Sequence, residues 1–370
     1  MMNPNRVLAI ARKETIQIRR DPLSLALAFL MPVMLLFIFG YAITVDVDRL
    51  TTVVYDRDAS SLSREIVRGL EASGYFTVVA YVKDPKLIDR ALDEGSARVA
   101  LSIPEDFSRY ARTGGEPQIQ VIVDGSDSNT ATIALGYLTG ALELAARHAG
   151  LASLEPAIDI RPRVWYNPEL KSRNFIVPGL IAVIMAIIAA LLTSLTIARE
   201  WERGTMEQII STPVKPAELV VGKMVPYFAI GIIDTVMSIV IVVALFGVPL
   251  KGSVFLLLFI SSLFLFGGLS LGILISIVTK SQLAASQAAV ISSYLPALLL
   301  SGFMFSIMNM PVPLQAITYL VPARYFVSAI KGIFLKANTA GMLLTEMGLL
   351  ALFGVIVFTV AVKRFKKRVA

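Results

Sequence analysis

Long apolar stretches nearly free of charge alternate with short basic segments along the chain, and one long polar segment interrupts them. The first stretch, Leu23 to Val45, carries no charge. At ~1.5 Å per helical residue it is long enough to cross a hydrocarbon layer of ~30 Å. It exceeds a signal-peptide core and shows no small-residue cleavage site, so it reads as a retained membrane anchor. Further stretches lie at 174–198, 224–250 and 252–279, and the 224–250 stretch contains one charge, Asp234. The uncharged run 281–323 is too long for one crossing, and Pro311, Pro313 and Pro322 break its second half. This predicts a helix at 283–306 and a partly inserted, re-entrant outer segment at 307–341. The last span falls at 342–362, with Glu346 near its start. The pattern predicts a polytopic α-helical membrane protein with six transmembrane helices.

The polar segment, 46–173, changes period. Residues 51–55, 75–82, 97–103, 119–124 and 158–165 alternate as strands do, while 61–72, 85–94, 105–112 and 130–148 read as helices. Ser60–Ser63 and Asp84 suit helix starts, and Gly74, Gly95 and Gly114 suit stops. Alternating elements of this kind predict a small α/β domain inserted between transmembrane helices 1 and 2. Its carboxylates do not form a catalytic set. Asp124 and Asp127 bracket a turn, and Asp56, Asp58, Glu105 and Asp106 sit at element ends, where loop and cap roles account for them.

Composition agrees with the pattern: 56% of residues are hydrophobic, 16% are charged and the mean hydropathy is +0.72. The net charge of +7 is unevenly placed. The insert holds 15 basic and 19 acidic residues, whereas the rest of the chain holds 19 basic and 8 acidic ones. Positive charge beside apolar segments is a topology signal and not a nucleic-acid footprint. The flanks on the side of both termini carry 15 Lys and Arg, against 4 on the opposite side. Both termini are therefore expected to be cytoplasmic and the insert extracytoplasmic. In the first 22 residues, apolar positions interleave with five basic ones, predicting an amphipathic helix in the inner headgroup layer, stopped at Asp21-Pro22. Residues 363–370 form a basic cytoplasmic tail. There is no cysteine, and His148 is the sole histidine, which excludes disulfides and argues against zinc.

The stretch that can carry a mechanism is the expected cytoplasmic loop 199–223. It begins Arg199-Glu200-Trp-Glu202-Arg203-Gly204, continues through a short helix at Thr205–Ser211, stops at Thr212-Pro213 and rises from Glu218 into the third span. A short helix held between two spans can move both when a partner pushes it. Glu202, Arg203 and Glu207 are positioned to grip such a partner, although an ordinary connector with a solvated charged face would look the same. Glu207 lies four residues after Arg203, a spacing that lets the two pair on a helix for ~0.2–0.5 kcal/mol. Asp234, costly in hydrocarbon, is a candidate residue of the transport pathway.

Several segments besides this loop resemble ABC-2 type permeases: Arg12-Lys-Glu14, Arg19-Arg-Asp-Pro22, Phe29-Leu-Met-Pro32, Phe39-Gly-Tyr-Ala42, Phe175-Ile-Val-Pro-Gly179, Ser301-Gly-Phe303, Met310-Pro311 and Leu320-Val-Pro-Ala-Arg324-Tyr325. They occur in the family's order over essentially the whole chain, in the subgroup with a large insert after the first span. The resemblance implies the permease subunit of an exporter in the bacterial inner membrane, itself no enzyme, paired with a second permease as homo- or heterodimer. It implies ABC ATPase subunits that bind ATP and Mg²⁺ and engage Arg199, Glu200, Glu202, Arg203, Gly204, Thr205, Glu207, Thr212, Pro213 and Lys215. A periplasmic adaptor is a further candidate partner, and lipid surrounds the spans.

The chain's own nearest approach to a phosphate-binding loop, Gly222-Lys223-Met224, lacks the leading glycine and the hydroxyl for Mg²⁺, so no cofactor is expected on this chain. A two-span sensor leaves four spans unexplained, a secondary transporter would need more ionisable groups in its spans, and the lipoprotein-release type of permease has four spans. The expected topology is directly testable. Because the chain has no cysteine, Ser126→Cys should label with an impermeant thiol reagent in intact cells and Ser211→Cys should not. The reverse pattern would overturn the orientation.

Overall fold

The computed structural model describes residues 2–42, 50–113, 118–124, 128–148, 172–305 and 307–365. The chain divides into two compact units, Met1–Ile43 with Val164–Ala370, and Thr44–Arg163. The first unit opens with helix α1 (Pro4–Arg20), capped by Asn3 and with proline at its start. Helix α2 (Pro22–Leu25) passes through a π-helical turn, Ala26–Leu30, into α3 (Met31–Ala42). The expected end of this span, residues 43–45, lies outside the described residues.

The second unit runs β1 (Leu50–Asp56), α4 (Ser61–Ala72), β2 (Phe76–Tyr81), α5 (Lys86–Asp93), β3 (Val99–Ile103), α6 (Phe107–Arg112), β4 (Gln120–Val123) and α7 (Ser128–His148). The strand order is β2-β1-β3-β4, with β1 parallel to both neighbours and β4 antiparallel to β3. The chain steps one way from β1 to β2 and back past β1 to β3. Right-handed crossovers then put the two connecting helices on opposite faces. Ile66, Val67 and Leu70 of α4 join Leu138 of α7 over Leu50, Val54 and Leu101, while Ile88 of α5 covers Val53 and Ala100. The fifth expected strand, 158–165, lies outside the described residues, as do Asp127 and the ring of His148.

The carboxylates here are structural. Asp56 accepts from Ser63 at 2.6 Å, Asp58 accepts from the hydroxyl of Ser108 at 2.8 Å, and Glu105 pairs with Arg57 at 2.6 Å. Burial alone would raise the Asp58 carboxyl, but hydrogen bonds from Ser60 and Ser108 outweigh it and hold the group below its ordinary range. Among the described residues no cluster could hold a metal.

The first unit resumes with α8 (Ser172–Glu202), α9 (Met206–Ser211), α10 (Pro216–Ala244), α11 (Val254–Thr279) and α12 (Gln282–Ala289). A second π turn, Val290–Tyr294, leads into α13 (Leu295–Leu299), followed by α14 (Val312–Thr318), α15 (Pro322–Lys336) and α16 (Leu344–Arg364). Among the described residues four helices are long and apolar enough to cross a membrane; the other two expected spans are helical over Pro22–Ala42 and Gln282–Leu299 but interrupted by the π turns. Each π turn has the same local cause. Pro32 and Pro296 cannot donate to the carbonyls of Ala28 and Ser292, four residues earlier and inside the π turns, and the ladder widens there.

Helix α8 is the hub. Its apolar window is 83% buried, against 22% for the last helix. Lipid gives helices little hydrophobic reason to associate, so close backbone approach has to do it. At Gly272 of α11, a Cβ would lie 2.1 Å from the Thr193 hydroxyl and 2.5 Å from the Ala190 carbonyl oxygen. Thr193 also donates to the Leu269 carbonyl at 3.1 Å, and Ser276 accepts from the N–H of Ala198 at 2.8 Å. Helices α11 and α16 meet through Gly267 and Gly354, each of whose added Cβ would approach the other's Cα within 3.6 Å.

Gly272→Ala should therefore separate α8 from α11, with the cost of overpacking, roughly 1–3 kcal/mol. Gly348→Ala on α16, where the new methyl meets nothing within 4 Å, should be neutral or slightly stabilising. Thermal unfolding of the two purified variants checks this; equal melting points would show that the Gly272 contact is not limiting.

Candidate functional site

The expected coupling residues converge where α8 ends and α10 begins. Arg199, Glu200 and Glu202 belong to the last turn of α8, not to a loop. Arg203 and Gly204 form the turn, with Gly204 at φ +70°, a left-handed conformation that suits glycine. Thr205 precedes α9 (Met206–Ser211), of which only Met206 is buried, and Thr212-Pro213 end it. Helix α10 starts at Pro216, so 216–223 is helical rather than loop. Proline at the first position and Glu218, whose carboxylate accepts from the Lys215 N–H at 2.8 Å, set that early start. The expected Arg203–Glu207 pairing does not form among the described residues. The Gly204 turn takes the two residues off a common helix, and both side chains are exposed.

Sequence reasoning missed the centre of the site. Lys223, its side chain 1% exposed, forms an ion pair with Glu14 of α1 and a second one, at 3.3 Å, with Glu200 of α8. The ammonium also donates to the Thr196 carbonyl at 3.3 Å. Lys13 and the Thr205 hydroxyl both donate to the Glu200 carboxylate. Two ammonium groups thus balance two carboxylates, and α1, α8, α10 and the start of α9 are tied at one point. Leaving one such buried charge unpaired costs several kcal/mol. At Gly222 an added Cβ would lie 2.7 Å from Cβ of Ile10, so α1 lies directly on α10 beside this node.

Two further sets of contacts hold the same elements. Arg199 pairs with Asp21 at 3.3 Å, and Glu202 accepts from the Gln282 N–H at 2.7 Å, linking α8 to the ends of α1 and α12. Glu218 accepts from the Asn3 N–H at 2.8 Å, and Arg6 donates to the Pro213 carbonyl, linking the start of α1 to the loop exit. Behind α9 lies a cavity of about 310 Å³ whose walls include Ile10, Glu14, Thr205, Ile209, Leu219 and Lys223. Helix α9 is therefore fixed at its beginning and loosely backed along its length. An arrangement tied at one end and loose along its length can transmit motion.

A signal for the missed pair is present in the sequence. Val7, Ile10, Ala11 and Ile18 mark one face of α1, and Glu14 falls on that face. A carboxylate on an apolar stripe requires a buried partner. Asp234, the pathway candidate, is 1% exposed inside α10, and its Oδ1 has no hydrogen-bond partner among the described residues. The hydroxyls of Ser238 and Ser261 share that condition.

The family described as ABC-2 family transporter protein matches residues 23–363. The chain is 40% identical over 356 residues, 94% of each chain, to the protein named "Probable multidrug ABC transporter permease YbhS" of Escherichia coli (strain K12). It is 32% identical over 336 residues, 90% of each chain, to the protein named "Probable multidrug ABC transporter permease YbhR" of the same organism. Identity is 28% over 324 residues, 85% of each chain, to the inner membrane transport permease YhhJ, also of that strain. Matched over nearly its whole length, the chain belongs to the ABC-2 family of transporter proteins.

Proposed function

We infer that this chain is the permease subunit of an ABC-type exporter, a multi-pass membrane component that works with a separate ABC ATPase. The observation that carries the mechanism is the attachment of α9. Arg203, Glu207 and Gln208 face outward, while Thr205 at the start of the same helix bonds to Glu200 in the node shared by α1, α8 and α10. Force applied to the outer face of α9 reaches two long helices and the N-terminal helix at once. ATP and Mg²⁺ bind to the partner ATPase in this reading.

The chain crosses the membrane six times, at 23–45, 174–198, 216–244, 254–279, 283–306 and 342–362, with the α9 loop and both termini cytoplasmic and the insert outside. The 15-to-4 distribution of Lys and Arg in the flanks supports this orientation. A second permease chain completes the pathway, and the insert offers a surface to a periplasmic adaptor. The names of the relatives point to drug-like cargo, and the same class is proposed here. Asp234, buried with an unpartnered oxygen, lies on the pathway side of α10.

The test is Glu207→Lys. Its side chain is exposed, so expression and membrane abundance should be unchanged. Reversing a charge at a partly buried interface commonly costs ~2–5 kcal/mol, which lowers ATPase affinity more than tenfold. Co-purification with the ATPase should fall, and export should uncouple from hydrolysis; Asp234→Asn should lose export with co-purification intact. Wild-type behaviour of Glu207→Lys in all three measurements would remove Glu207 from the interface.

A further inference from the structure

A second cavity, of about 210 Å³, opens at the surface of the helix bundle, with the exposed Leu320 and Ser292 at its rim. It reaches Ala186 of α8, fourteen residues from Glu200 and thus ~21 Å from the charged node by helical rise. Phe264 of α11 and Phe353 of α16 supply aromatic surface, and no charged side chain is among its described lining residues. Its polar features come from two places. Ser292 and Ser293 belong to the π turn Val290–Tyr294, and π turns commonly mark functional sites. Ser292 donates its proton to the Ala288 carbonyl at 2.6 Å, and Ser293 donates to the Ala186 carbonyl at 2.8 Å. With their protons used, both oxygens keep lone pairs and can only accept.

The other polar feature is the start of α15. Val321 provides no side-chain cap there, so the N–H of Ala323, at the second helical position and in the cavity wall, has no intrahelical acceptor. A ligand for this space therefore needs a group that both donates and accepts. An uncharged group suits it, because the lining offers an ion no counter-charge. The volume is below the roughly 300–1,000 Å³ of drug-sized pockets, which limits the ligand to about two fused rings.

We propose that this cavity is a cargo subsite for an uncharged aromatic alcohol of the phenol or naphthol class, held between the Ser292 and Ser293 hydroxyls and the first turn of α15. The assignment of the ligand as cargo rests on the exporter reading; the binding itself does not.

The full chain, reconstituted in nanodiscs, is titrated with 2-naphthol while its melting temperature is followed, with naphthalene and 2-naphthoate as comparisons. A ligand that binds the folded state raises the melting temperature saturably. The expected result is saturable stabilisation by 2-naphthol, three- to tenfold weaker binding of naphthalene, and none of 2-naphthoate. Ser293→Ala should reduce 2-naphthol to the naphthalene level, and Ser292→Phe should abolish binding by filling the cavity. Ser293→Ala removes only a hydroxyl, so it decides the question even where Ser292→Phe does not accumulate. Equal binding of 2-naphthol and naphthalene, or an unchanged Ser293→Ala, would overturn the proposal and leave an apolar slot that a lipid chain can fill. That outcome leaves ATP-driven export standing, whereas loss of the Glu207 coupling effect bears on the exporter reading alone.

Discussion

The ammonium of Lys223 sits inside the protein, and a charge there is tolerable because Glu14 and Glu200 reach it from two other helices. Much of the local architecture follows from satisfying that one group. Helix α1 has to lie on α10 for Glu14 to arrive, and Gly222 leaves the room for it. Helix α8 has to continue past its apolar stretch to present Glu200, and Lys13 and Thr205 have to complete the second carboxylate. An uncharged core could be replaced by other apolar residues with little change in position. A buried ion triad fixes which residues of three helices meet.

The remaining bundle is held by a different kind of contact. Gly272 against Thr193 and Ala190, and Gly267 against Gly354, bring backbones close where lipid offers no hydrophobic drive. The two proline-linked π turns interrupt this regular packing at Ala26–Leu30 and Val290–Tyr294. The second of them places two serines in the wall of the second cavity. Close small-residue packing surrounds α8, and the irregular segment supplies space and polar atoms. In the proposed reading, force enters at the charged end and cargo is met beside the irregular segment.

The four helices long and apolar enough to cross a membrane are legible because length and absence of charge are strong signals, and the elements of the insert because period-two and helical patterns alternate between clear turn residues. Boundaries were harder. The charge of Lys223 marks the edge of the uncharged run at 224, whereas the proline-started, Glu218-capped helix begins at 216 and carries the lysine inside. Glu200 and Glu202 looked like partner-facing charges. One is turned into the node and the other holds Gln282, so Arg203 and Glu207 are left as the outward pair. The Glu14–Lys223 contact joins residues 209 positions apart, and no local pattern specifies such a pairing. The two π turns required knowing which carbonyls lie four residues before each proline, and the cavity beside the second depends on tertiary packing.

The central claim is that Lys223 and Glu14 act as one unit. A double-mutant cycle with Lys223→Met, Glu14→Gln and their combination, followed by unfolding in mixed micelles, measures it most directly. Each single change should destabilise strongly, and the double variant should be less destabilised than the sum. The predicted coupling is more than about 1 kcal/mol. Effects that add to within ~0.5 kcal/mol would contradict the account, because the two groups would then contribute independently.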